Sequence, residues 1–201
     1  MAISEVSICN QALSWLGQET ITSLDDQATT AVWMNANYDL LRDSVMEARM
    51  WTFATVRAVS TSVQESEWGD GYVHAKPLGW LSVSRVYRDN SRIDPVPVEW
   101  RLESEGIITR ESTIYLLGLK QVVDPRKFSN LFVQALAARL AADACIPFTE
   151  NATLQRDMWT LYNDKLEEAA ARDGQQGSND FITQRRLVGA RYSGGYTGGR
   201  Y

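Results

Sequence analysis

The chain has 201 residues, 44% of them hydrophobic and 22% charged, a balance that excludes wholesale disorder and permits a core without metal or disulfide. A formal net charge of −5 argues against a free nucleic-acid binder, which shows a basic patch or stripe. The charge is uneven: residues 174–201 carry Arg185, Arg186, Arg191 and Arg200 against Asp180 alone, or +3, leaving −8 for the rest.

The N-terminal run has Glu5 and no positive cluster, so it reads as a helix and not as a secretory leader. Val6, Cys9, Ala12, Leu13 and Leu16 fall on one helical stripe, and Gly17 stands where a helix stops. A second helix is predicted over about 28–50, with Ala31, Asn35, Tyr38, Leu41, Val45 and Ala48 on one face. Asp25 and Asp26 lie ahead of it, where capping and the helix dipole favour acids.

The texture then changes. Runs rich in Val, Ile, Tyr and Trp at 80–88, 98–102, 106–110, 113–117 and 120–123, separated by turn residues, predict short strands. Asp124-Pro125 reads as cap and first position of a third helix whose stripe runs from Phe128 through Phe132, Ala135, Ala138 and Ala142 to Cys145, ending at Pro147. Arg139 and Asp143 interrupt its apolar stretch, which argues against a membrane span. A fourth helix carries Leu154, Met158, Leu161, Tyr162, Leu166 and Ala169 and is expected to stop at Gly174.

These elements imply an α+β fold, mainly α: a helical bundle of two long helical hairpins with a small inserted antiparallel sheet and an extended C-terminal arm. The body spans 1–173, with the β insertion at about 77–123, and the arm spans 174–201. The arm ends in the near-repeat Tyr192-Ser193-Gly194-Gly195, Tyr196-Thr197-Gly198-Gly199. Glycine at this density keeps it from folding alone, so it is a disordered terminus or an arm that orders on a partner. Tyrosine and arginine are the residues of interface anchors, which favours the arm.

Catalytic patterns are missing. His74 is the single histidine and sits in the polar run 65–74, which reads as an exposed loop. Glu65, Glu67 and Asp70 share that run, but acid clusters are common in a chain with 25 acids, and a glycosidase pair needs a cleft. The sequence has no phosphate-binding glycine loop, nucleophile elbow or zinc spacing, so no enzyme activity, cofactor or metal is expected. Cys9 and Cys145 lie within apolar helical patterns and read as reduced core cysteines. Trp51 and Phe53 are expected inside the bundle.

The order of short motifs carries a resemblance. Asn10-Gln11-Ala12-Leu13, Leu16-Gly17, Ile21, Ser23-Leu24-Asp25 and Ala31 precede a long helix with Tyr38 and Leu41-Arg42-Asp43, closing on Arg49-Met50-Trp51-Thr52-Phe53-Ala54. Asp124-Pro125, Phe128, Phe132, Ala135-Leu136-Ala137 and Leu140-Ala141 follow, then a helix with Leu154, Tyr162 and Leu166. This succession resembles the head-to-tail adaptor family of tailed bacteriophages, of the tail tubular protein A type.

The resemblance implies a structural virion protein at the head–tail junction, assembled in the host cytoplasm. It implies a homo-oligomeric ring, commonly of twelve copies, that binds the portal protein on one side and the tail nozzle or tube protein on the other. Genomic DNA would pass through its channel without specific binding, an acidic lumen repelling phosphates. The portal contacts would come from Arg185, Arg186, Leu187, Arg191, Tyr192, Tyr196, Arg200 and Tyr201 in the arm. Two alternatives stand beside this: a tail-associated cell-wall hydrolase built on the 65–74 run, and a connector or completion protein of a long-tailed phage.

Overall fold

A computed structural model describes residues 3–67, 69, 71–91, 95–104 and 106–176, and for 174–176 only the helical backbone. Along the chain it has α1 (Glu5–Trp15), α2 (Thr29–Glu47), β1 (Thr55–Thr61), β2 (Tyr72–His74), β3 (Trp80–Tyr87), β4 (Trp100–Glu103), β5 (Gly106–Thr109) and β6 (Thr113–Lys120). A 3-10 turn (Pro125–Lys127), α3 (Asn130–Thr149) and α4 (Ala152–Gln176) follow.

The two-hairpin bundle is not what forms. About 45% of the described residues are helical and 22% are strand, and the strands make two three-stranded antiparallel sheets in place of one inserted sheet. α3 is the reason for the different helix arrangement. Ala135, Ala137, Ala138, Ala141, Ala142 and Ala144 are all fully buried, as are Phe132, Leu136 and Leu140, so most of α3 is apolar and enclosed, the half-buried pair Arg139 and Asp143 apart. α1, α2 and α4 each pack against it. Only α3 and α4 form a long hairpin.

Helix ends differ from expectation for local reasons. α1 begins at a reciprocal Ser4–Ser7 capping box and is followed by Gly17 at φ +66°, the left-handed conformation that glycine tolerates. α2 has no side-chain cap, because Ala28 stands at its N-cap, while Asp26 folds back to accept bonds from Thr22 and Ser23. Its inner face includes Met34, Arg42 and Met46, while the expected Asn35 and Ala48 are exposed. Asp124-Pro125 opens the 3-10 turn, and α3 itself starts one turn later on the Ser129 cap. Pro147 lies inside α3, which ends at Glu150 (φ 52°). α4 runs past Gly174 to Gln176.

An aromatic wedge joins the layers. Trp51 is fully buried edge-on to Phe132, with ring centroids 5.0 Å apart, and Phe53 stands 5.0 Å from Phe132 and 5.6 Å from Phe128. Trp51 Nε1 also donates to Val45 O at 3.1 Å, satisfying a carbonyl at the end of α2. Both rings lie within the helical core, as the sequence suggests.

The first sheet has the order β1-β6-β3 and the second β2-β5-β4. Strands therefore begin at Thr55, well ahead of residue 77. β6 is one continuous strand where two were expected. Gly118 falls at the expected break, and a Cβ there would strike the Trp80 ring and the Ser82 carbonyl. The inner faces enclose a second, smaller core of Trp80, Val86, Ile107, Ile114 and Leu116. In β1, the bonds Lys120 N→Ala54 O and Ser62 N→Ser112 O fix the parity of the ladder. Even-numbered residues bond β6, which leaves the backbone groups of Arg57, Val59 and Thr61 on the outer edge.

Truncation should separate core from surface. Phe132→Ala is expected to lower stability by about 3–5 kcal/mol, whereas Val59→Ala, at a side chain 61% exposed, should stay within about 0.5 kcal/mol. Urea unfolding followed by far-UV circular dichroism checks both.

Candidate functional site

The body hands the chain over to its C-terminal segment at a defined place. Asp173, in the last turns of α4, is buried, and its Oδ2 accepts from Thr52 N at 2.7 Å and Thr52 Oγ1 at 2.9 Å. Thr52 lies between the two wedge aromatics, so the end of α4 is fastened beside the start of β1. Charge-assisted bonds of this kind are the strong ones. α4 is also held to α3 by Arg139, which stacks 4.6 Å from the Trp159 ring centre and 5.5 Å from that of Tyr162 while pairing with Asp143 at 2.9 Å.

The expected portal anchors Arg185, Arg186, Leu187, Arg191, Tyr192, Tyr196, Arg200 and Tyr201 all lie outside the described residues. What the structure fixes is the anchorage from which that segment departs. The sequence offered no direct signal for it: Asp173 marks the expected end of the body, but nothing pairs it with Thr52.

The run 65–74 is not a free loop. Glu65 bridges to Tyr72, residues 72–74 form β2, and His74 is fully buried. His74 Nε2 lies 2.9 Å from Glu111 O, and a carbonyl can only accept, which places the ring proton on Nε2. Nδ1 is hydrogen-bonded with Ser60 Oγ at 3.2 Å. The imidazole thus ties β2 to β1 and to the β5–β6 turn, with both nitrogens committed. Glu65 and Glu67 are exposed, and Asp70 lies outside the described residues.

Two clefts adjoin these elements. One, of about 450 Å³, lies between the end of β3 and the β4–β5 hairpin, where Trp100 adjoins Arg88, Arg101, Arg110, Glu99 and Glu111. Arg88 is already paired with Glu111, its Nε donating at 3.0 Å. The other, of about 410 Å³, is framed by Leu24, Asp25, Asp26 and Gln27 against Val32, Asn35 and Ala36 of α2. Among the described residues no group of three His, Cys, Asp or Glu side chains could hold a metal ion.

Titratable groups are set by their surroundings. Burial, helped by Glu5, pushes the Cys9 thiol up to about 12, so it stays protonated and unreactive. Burial likewise raises the Tyr38 phenol, whose hydroxyl is enclosed without a hydrogen-bond partner among the described residues. The Asp26 carboxyl is held below its usual range by bonds from the Ser23 backbone and from Thr22. Arg126 does the same to Asp124. α3 is long and apolar enough to cross a membrane by length and composition alone, but more than half of that stretch is buried among the other helices.

No protein-family model matches the chain, and no curated protein matches it at a significant level.

Two measurements test the anchorage and the turn. Asp173→Ala should destabilise the protein by about 1.5–3 kcal/mol, read as a lower urea midpoint. A group with a lowered folded pKa contributes stability that is present above its unfolded pKa and lost as pH falls through the folded value. Asp26→Asn should therefore lower stability at pH 7 and flatten the acid limb of the stability–pH curve, because the contribution lost in acid is then already absent.

Proposed function

We propose that the chain is a head-to-tail adaptor of a tailed bacteriophage: a structural virion protein whose copies form a ring between the portal and the tail nozzle or tube protein, around the DNA exit channel. The ordered succession of motifs carries this reading, and their placement supports it. Asn10, in the first motif, clasps Ile21: its Nδ2 donates to Ile21 O at 2.9 Å and its Oδ1 accepts from Ile21 N at 2.8 Å. Arg42 of Leu41-Arg42-Asp43 is buried between Asp39 and Asp43, and Gln121 binds Asp43 at 2.6 Å. Trp51 and Phe53 pack on Phe128 and Phe132. The motifs are the joints of the body, which is what a scaffold with fixed geometry needs.

The charge division suits the same reading. The −8 of residues 1–173 fits a wall that DNA phosphates pass without adhering, and the +3 of 174–201 fits an arm seeking a partner. The hydrolase alternative rests on Glu65 and Glu67, which are exposed and line neither of the clefts described above.

Removal of residues 186–201 should leave a body with unchanged circular dichroism and urea midpoint that no longer joins DNA-filled, portal-bearing heads to tails. Complementation of heads lacking the protein, counted as infectious particles, measures this. Joining at the full-length level by the truncated chain would overturn the arm assignment.

A further inference from the structure

Two apolar surfaces have no covering partner among the described residues. On α2, Val32, Ala36 and Leu40 recur at four-residue spacing on the side away from α3, with Val32 54% and Leu40 69% exposed. The stripe runs into the cleft rimmed by Asp25 and Asp26. On the first sheet, the outer face carries cross-strand rows Arg57–Leu117–Arg85 and Val59–Tyr115–Tyr87. Val59 is 61% exposed, and neither core claims Tyr115, Leu117 or Tyr87. The charged residues on this face are Arg57 and Arg85, and β1, β3 and β6 contain not one Asp or Glu. In a body of net charge −8 this sheet is a local basic surface.

The two surfaces are complementary in kind. One is a convex aliphatic helix stripe beside two carboxylates; the other is a sheet face of Tyr, Val and Leu flanked by guanidinium groups. Tyrosine and arginine around an apolar centre are the composition of interface hot spots. Opposite charges on the rims orient the encounter. The surfaces belong to different elements of one chain, so pairing them between copies is head-to-tail, the type of contact that closes into a ring.

We infer that the α2 stripe of one copy docks on the outer face of the β1-β6-β3 sheet of the next, with Arg57 facing the Asp25–Asp26 rim. This deepens the proposed function and rests on its ring-forming part: it names the two surfaces that would build the ring.

The test uses the full chain with a benzophenone attached at Val59→Cys, mixed with heavy-isotope copies and irradiated with and without portal-bearing heads. Cys9 and Cys145 are buried and do not compete for the label. Cross-links from light to heavy chains are expected in residues 24–40. Cross-links in residues 177–201, which would make the chain's own terminus the occupant, overturn the inference. So do cross-links in β1 of the other copy, which would mean a twofold contact, links only to a host or portal protein, or none under either condition.

A charge exchange gives an independent readout. Arg57→Glu and Asp25→Lys should each weaken self-association at least about tenfold in sedimentation velocity, and an equal mixture should recover it, because every contact then pairs opposite signs. Absence of recovery contradicts the pairing. Copies that assemble through these surfaces yet never join heads to tails would leave this inference standing and remove the adaptor reading instead.

Discussion

Burial of most of α3 beneath three other helices is the constraint from which the rest of the architecture follows. A helix lined with alanine lets neighbouring backbones come close, and Ala135, Ala138 and Ala142 can be covered from several directions at once. α1 and α2, which precede the sheets in the chain, both take their places against this helix. The aromatic wedge of Trp51 and Phe53 on Phe128 and Phe132 then fixes where β1 leaves the helical layer. Asp173 on Thr52 fastens the far end of α4 to the same point. Helical core, sheet and the start of the C-terminal segment are thus set by one cluster.

Much of this was legible in the sequence, and the exceptions are physical. All four helices announce themselves through period and boundary residues, since those signals are local. Their arrangement does not, because a one-sided stripe says which face is buried but not against what. An alanine-rich helix that is apolar over most of its surface offers several partners. Pro147 suggested a stop, yet a proline in the last turn forfeits only one intrahelical bond, that to the carbonyl of Asp143. β1 escaped notice because it follows the wedge directly and its partner, β6, is distant in sequence: Thr55 pairs with Leu119.

His74 shows the same limit at a single residue. Its run is polar and glycine-punctuated, as loops are, and only the pairing Val73 with Ile108 and His74 with Ile107 draws it inward. The expected portal residues could be named from composition but not placed, since they lie beyond residue 176. The α2 stripe and the outer sheet face went unread for another reason: their residues look like ordinary helix and strand positions until the neighbours that fail to cover them are known.

The account stands on α3 as the hub, and native-state hydrogen exchange tests that most directly. Amides from Phe132 to Cys145 should exchange slowest of all, only through global unfolding, with the same urea dependence as the whole molecule. Those of Arg57, Val59 and Thr61 on the open edge of β1 should exchange far sooner. If α3 amides exchange ahead of those in α4 or β6, through an opening that leaves the sheets intact, α3 is not the element that the other helices depend on.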